Sequence, residues 1–494
     1  MLHEQLRTEK LPLRTKLGYG MGQLSETIPL SVVYSFFVYF LTDIAHVNPA
    51  VAGTISLFAI AWDAISDVLV GYLSDNLDTK WGRRRPLMAI AIVPFTIFMA
   101  LMFTDIEMGT TGKGIYFWVI ATFFWTFLTL YVLPYMSLGA EITQNPDERN
   151  ALIKYRGVIV QIAMLISMPL PTFMESFVTE HGGTPQQAWT ITGCIFAVIL
   201  FIGIFSAWRL TKGYELIVKK DKTQKRKKEN IIKAFASTFK YKAWWCILIC
   251  TFVLAWTTNL LQGGPIYLMS SNMGLSGAQQ SIYFAAMPAA MIIVVPLIMQ
   301  VAKKIGNKKA LAGFLIIFGI LVSAFKFIPF QSLGVLYIYG LLANTLYFAF
   351  LNVYFLLLYE CCELDEFVTG KRREGTLTSC NYFFSKMGAA TATWFLGIFL
   401  EFVGYDGAAT VQTATALDGI ITFCTIIPGL LGVVGGLAIV FYPITRKKYQ
   451  ALLTALDAKR QNKEYSINEF ESILPKKFVA EYYANQENIK TSSL

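Results

Sequence analysis

Apolar runs of about 20 residues, each long enough to cross the hydrocarbon core of a bilayer, recur along the whole 494-residue chain. They read as spans over 17–42, 51–74, 87–104, 115–137, 157–176, 189–210, 243–268, 278–301, 310–328, 334–358, 377–403 and 417–442. Charged residues make up only 15% of the chain, against roughly 25% in soluble proteins. The pattern predicts an all-α polytopic membrane protein of twelve transmembrane helices. The first residues, 1–16, are polar and basic and the first apolar run is full length, so no cleavable signal peptide is expected.

A formal charge of +10 raises the question of a nucleic-acid partner, but the placement of the charge argues against one. Its densest run, Lys219 to Lys228, falls between two apolar spans, where basic residues act as a cytoplasmic topology signal. Lys80, Arg83, Arg84 and Arg85, then Arg149, Lys154 and Arg156, then Lys371, Arg372 and Arg373 fall on the same side of the bilayer. Both termini are therefore expected in the cytoplasm. The organisation reads as a cytoplasmic N-terminus (1–16), a six-helix half (17–210), a basic cytoplasmic linker (211–242), a second six-helix half (243–442) and a cytoplasmic tail (443–494). The tail reads as short helices or partly disordered chain, with no function assigned to it.

The loop after the second span, Gly71 through Asp75 to Trp81-Gly82-Arg83-Arg84-Arg85-Pro86, has a weak counterpart after the eighth, Lys303-Lys304-Ile305-Gly306-Asn307-Lys308-Lys309. Parallel halves of this kind are the layout of the major facilitator fold, whose substrate site lies near the midplane between them. Seven cysteines without CxxC spacing and three scattered histidines suggest neither a zinc site nor a disulfide frame. There is no nucleophile–histidine set and no phosphate-binding glycine loop, so an enzyme is not expected, nor a cofactor.

Two aspartates, Asp63 and Asp67, stand four residues apart inside the second span. A charge near the bilayer centre costs roughly 2.5–3.5 kcal/mol on insertion scales, so such residues mark ion or substrate paths. Spacing i, i+4 puts both on one helix face, about 6 Å apart along the axis, where they offer a small cation hard oxygen donors. Thr129 in the fourth span can add a neutral oxygen. Lys386 sits deep in the eleventh span, too far from either flank to snorkel easily, and reads as a partner to Asp63 or a substrate contact. Glu26, Thr27 and Asn381 suggest a polar cavity, although each alone also fits a helix–helix hydrogen bond. Tyr131 and Tyr354 are among the aromatics able to stack on sugar rings. Asp75 with Arg83, Arg84 and Arg85 reads as a cytoplasmic gate, against the plainer reading of a topogenic loop.

Four stretches together resemble the melibiose-permease-like glycoside–pentoside–hexuronide:cation symporters, across nearly all of the twelve-helix region. They are Trp62-Asp63-Ala64-Ile65-Ser66-Asp67; Trp81 to Pro86; Leu133-Pro134-Tyr135-Met136-Ser137-Leu138-Gly139-Ala140-Glu141 running to Arg149; and Thr369-Gly370-Lys371-Arg372-Arg373-Glu374-Gly375 running to Lys386. The resemblance implies that Asp63, Asp67 and Thr129 match sodium-holding positions, with Ser66 beside them. It places Lys386 between cation and sugar sites, and Arg156 near the cytosolic end of the sugar site. It also implies that the melibiose permease grips galactosides with two acids. Those positions here are Thr27, with Glu26 adjacent, and Val132, and a sugar-stacking tryptophan is replaced by Met136.

Loss of two negative charges with Lys386 kept makes a cavity more hospitable to an anion. The expected function is sodium- or proton-coupled symport of a saccharide, acidic (a hexuronide) in the first reading, by alternating access in a bacterial inner membrane. Alternatives are a neutral glycoside or pentoside symporter, a sodium-coupled lysophospholipid transporter and a non-transporting sugar receptor. The expected partners are a sugar, a coupling cation and the bilayer.

Overall fold

The computed structural model describes residues 10–492 apart from 78, 80, 144, 215–237, 331, 371–372, 410 and 462. Most of the predicted linker therefore lies outside the described residues, as do 1–9 of the N-terminus and 493–494 of the tail. Among the described residues twelve helices are long and apolar enough to cross a membrane. They are α1 (Leu13–Ile44), α2 (Pro49–Gly71), α3 (Arg85–Met102), α4 (Thr110–Gly139), α5 (Asp147–Glu180), α6 (Pro185–Leu210), α7 (Lys242–Asn272), α8 (Gly277–Ile298), α9 (Lys308–Phe327), α10 (Leu333–Thr369), α11 (Thr376–Phe402) and α12 (Ala414–Val440). No β-strand occurs among the described residues. The chain is an all-α, multi-pass membrane protein with the predicted two six-helix halves.

Most boundaries moved by only a few residues, and the two largest shifts lengthened a helix. The span read as 157–176 begins at Pro146, because the Asn145 side chain accepts from the backbone amides of Asp147 and Glu148 and Pro146 takes the first helical turn. The span read as 334–358 continues to Thr369. Its polar end, from Glu360 onward, runs beyond the apolar stretch. Asp365 is fully buried there and receives Arg373 Nη2 at 2.6 Å, Arg373 Nε at 3.0 Å and the Tyr241 hydroxyl at 2.8 Å. Burial and the Asp365 charge push the Tyr241 hydroxyl above the usual phenol range, so it stays a donor. Removing one partner of a buried pair costs about 3–5 kcal/mol. Arg373→Ala is thus expected to lower the melting temperature of the detergent-solubilised protein clearly; an unchanged value would show that Asp365 is satisfied without it.

The tail folds onto the same end of the second half. Helices α13 (Arg446–Arg460) and α14 (Lys476–Ser492) follow α12. Phe367 of α10 packs its ring against Tyr465, Phe470 and Phe478, at 5.5, 5.3 and 5.7 Å between centroids. The Lys459 ammonium lies 4.9 Å from the Phe367 ring centre and donates to the Phe367 carbonyl at 2.6 Å. The tail is an ordered cap on this half.

Helix order places the α1–α2, α7–α8 and α11–α12 links at one end of the bundle, away from the chain termini. At this distal end the halves touch closely. A Cβ on Gly397 of α11 would stand 2.3 Å from the Pro49 carbonyl oxygen and 2.8 Å from Gly53 Cα in α2. One on Gly277 of α8 would stand 2.2 Å from the Thr172 carbonyl oxygen in α5. Small residues let backbones approach where lipid supplies no hydrophobic drive between helices.

Candidate functional site

The residues of the acidic pair lie midway along α2, on the face turned to α4 and α11. Asp63 is buried, with 1% of its surface exposed. Its Oδ1 accepts the Thr129 hydroxyl at 2.7 Å. The Ser66 hydroxyl donates to the Asp63 carbonyl at 3.0 Å and lies 3.1 Å from Thr129 Oγ1. From the other half, the Lys386 ammonium reaches Asp63 Oδ2 at 2.5 Å and also contacts Asp67 Oδ2. One lysine of α11 therefore bridges both acids of α2, at the interface between the halves.

Buried carboxylates persist in an apolar interior only when paired and hydrogen-bonded. Asp63 meets this with a hydroxyl on one oxygen and an ammonium on the other, but no hydrogen bond is well directed at Oδ2. The donor set, two carboxylates with the Thr129 and Ser66 hydroxyls, consists of hard oxygens. Such a set suits a proton or an alkali cation rather than a soft transition metal. No group of three or more histidine, cysteine or acidic side chains able to hold a metal occurs among the described residues.

A second polar cluster lies nearer the terminal end, on α1 and α5. Arg156 Nη2 is 3.4 Å from Glu26 Oε2, and Arg156 Nε donates to Gln23 Oε1. The Gln23 amide passes the chain on to the Thr27 hydroxyl at 3.0 Å. The cluster sits where α1 is interrupted at Gly22 and Gln23. A Cβ on Gly22 would stand 2.5 Å from Tyr135 and 2.7 Å from the Tyr131 hydroxyl. That hydroxyl donates to the Gly22 carbonyl, and the Tyr135 hydroxyl to the Tyr19 carbonyl, each at 2.7 Å. Tyr131 thus satisfies backbone acceptors that the break leaves open, and its ring is fully buried.

Asn381 and Tyr354 are likewise buried, within the second half. Asn381 Oδ1 accepts from Thr251 at 2.6 Å and from the Tyr354 hydroxyl at 2.5 Å. The arginines of the predicted gate engage their own half. Arg84 Nε meets Glu141 at 3.2 Å and its Nη1 donates to Ser74 at 2.7 Å, Arg83 lies 3.6 Å from Glu141, and Arg85 stacks over the Trp208 ring at 5.1 Å. The side chain of Asp75 lies outside the described residues. Sequence reasoning missed Glu141 as the acceptor of this group, although an acid at the end of the fourth span was its signal. It also missed Asp43 and Tyr405 at the distal end, since an aspartate next to a span end reads as a loop residue.

The chain matches the family model for MFS/sugar transport protein over residues 18–446. It is 26% identical over 467 residues to the uncharacterized symporter YnaJ of Bacillus subtilis, covering 92% of this chain and 97% of that protein. It is 25% identical over 479 residues to the glucuronide carrier protein homolog of Escherichia coli, covering 93% and 99%. It is 24% identical over 451 residues to the isoprimeverose transporter of Lactiplantibacillus pentosus, covering 88% and 90%. The fold is similar to that of a bacterial Spinster homologue solved facing inward, with a TM-score of 0.63 at 13% identity over 90% of this chain and 97% of that one. These relatives are transporters, and the twelve long apolar helices of this chain fit such a protein. The chain is a membrane transporter rather than an enzyme, and it belongs to the major facilitator sugar-transport family, among the melibiose-permease-like symporters.

Proposed function

We propose that this protein carries an acidic saccharide across a bacterial inner membrane together with a cation, sodium or a proton, with both termini in the cytoplasm. The observation that carries the reading is the Lys386 bridge to Asp63 and Asp67. The ammonium and a cation compete for the same carboxylates. When the cation binds, Lys386 is released from one or both acids and its charge becomes available to an anionic group on the substrate. A substrate carboxylate that holds Lys386 away in turn leaves the acids free for the cation. Each ligand then raises the affinity of the other by the same factor.

Likeness to the glucuronide carrier homolog supports an acidic sugar. Likeness to the isoprimeverose transporter supports the second reading, a neutral glycoside or pentoside. The Glu26–Arg156 contact favours it too, because Glu26 already balances that guanidinium and leaves one cation fewer to receive a substrate carboxylate. Both termini being cytoplasmic, the closed distal end faces outward and the arginine-lined end faces the cytosol.

The deciding experiment is uptake of labelled glucuronide into proteoliposomes under an inward sodium gradient, an inward proton gradient, or neither. Accumulation with one gradient supports the reading and identifies the ion. Accumulation of a neutral pentoside but no glucuronide would overturn the acidic substrate and keep symport. Lys386→Met is expected to keep cation binding, since both carboxylates remain, and to lose its enhancement by substrate. Enhancement equal to that of the unmodified protein would overturn the role given to Lys386.

A further inference from the structure

Helices α1 and α7 occupy matching places in the two halves, and both finish in a five-residue π-helical stretch, Phe40–Ile44 and Leu268–Asn272. Tyr39 and Tyr267 precede these stretches, and Asp43 and Ser271 hold the same position within them. π-Turns are rare and gather at functional sites, because the extra residue redirects side chains. Here both re-aimed side chains meet one residue. The hydroxyl of Tyr405, on the link after α11, is 2.5 Å from Asp43 Oδ1 and 3.3 Å from Ser271 Oγ.

We infer that Tyr405 is the keystone of the distal closure, its hydroxyl tying the equivalent turns of the two halves, and that breaking its bond to Asp43 is the step that lets α1 part from α7 there. Three of the surrounding contacts, Thr42 and Tyr39 with Tyr267 and Gly407 with Thr42, cross the same interface. The Thr42 hydroxyl is 2.6 Å from Asp43 Oδ2 and 2.9 Å from the Tyr267 hydroxyl. The Tyr267 ring packs on Tyr39 at 5.5 Å and on Tyr405 at 5.3 Å. Gly407 lies so near that a Cβ there would stand 2.3 Å from the Thr42 carbonyl oxygen. Tyr405 is 4% exposed, and burial with the Asp43 charge keeps its hydroxyl protonated as a donor.

A hydroxyl donating to a carboxylate makes a short, strong bond, and closure removes that carboxylate from water, which costs free energy unless such donors replace the water. Opening returns the hydration and gives up the donors. The two states therefore exchange comparable interactions, as a reversible latch requires. The contact shares no residue with the Asp63–Lys386 site, so this inference does not depend on the coupling ion or the sugar.

The test is the distance between spin labels at Met108→Cys and Val411→Cys, both exposed at the distal end and in opposite halves, with Cys194 and Cys246 replaced by serine. Tyr405→Phe removes one oxygen and keeps the ring. It is expected to raise the population with separated distal ends by about threefold to tenfold. Asp43→Asn probes the same bond from the other side and should shift the distances in the same direction. Ser271→Ala leaves the Asp43 bond in place and should shift them less. Distance distributions identical to the unmodified protein in both Tyr405→Phe and Asp43→Asn would overturn the inference.

Discussion

Asp63→Asn is expected to abolish concentrative uptake while the protein still inserts and folds. The side chain stays the same size, Thr129 keeps a carbonyl oxygen to donate to, and Lys386 keeps Asp67. What is lost is the charge that a coupling cation replaces lysine to reach. Removing one partner from a buried charge pair costs about 3–5 kcal/mol, which corresponds to a loss of cation affinity of roughly 150- to 5,000-fold. Substrate exchange down its own gradient can survive, because it needs no net ion movement. The measurement is gradient-driven accumulation beside counterflow in the same vesicles. Full accumulation by the variant would remove Asp63 from the coupling site. Asp67→Asn should be milder, because Asp67 is part-exposed whereas Asp63 is buried.

Gly397→Val should act on the cycle instead of the site. Any side chain there meets backbone, at the Pro49 carbonyl and Gly53, and backbone cannot rotate out of the way as a side chain can. Overpacking of this kind costs about 1–3 kcal/mol, charged wholly to the state in which α2 and α11 touch. The expected result is a transporter held away from distal closure, with cation binding retained and turnover reduced by roughly tenfold or more. Gly71→Ala in α2 is the control, since a Cβ there meets nothing within 4 Å. Equal turnover in Gly397→Val and the control would show that the close approach of α2 and α11 is dispensable.

Much of this architecture is legible in sequence because lipid imposes a simple code. Runs of apolar residues long enough to span must be helices, and their number and the loop charges follow by inspection. The acid pair was visible for the same reason, since two charges on an apolar face need an explanation. Lys386 could be named as a partner because it lay too deep to reach water. What stayed hidden was fixed by contacts distant in sequence. The extension of α10 to Thr369 depends on Arg373 and Tyr241 closing around Asp365. The break in α1 depends on tyrosines of α4 that meet its free carbonyls. Tyr131 and Tyr354, read from sequence as candidate sugar platforms, are fully buried with their hydroxyls committed to protein acceptors; composition cannot separate that environment from a cavity wall.

The docked tail also sets an order of assembly. Phe367 and Leu364 are buried in the cluster that residues of α13, α14 and the segment between them complete. That cluster cannot close until on the order of 100 further residues have been made, roughly 5–20 s at ordinary rates of synthesis. At the terminal end of the first half, Glu148 pairs with Lys16 and Glu141 with Arg84, contacts that need nothing made later. The newborn chain thus inserts a half whose terminal end is already paired beside one whose base is still open. During that interval the base of the second half is the stretch most open to a protease or a chaperone.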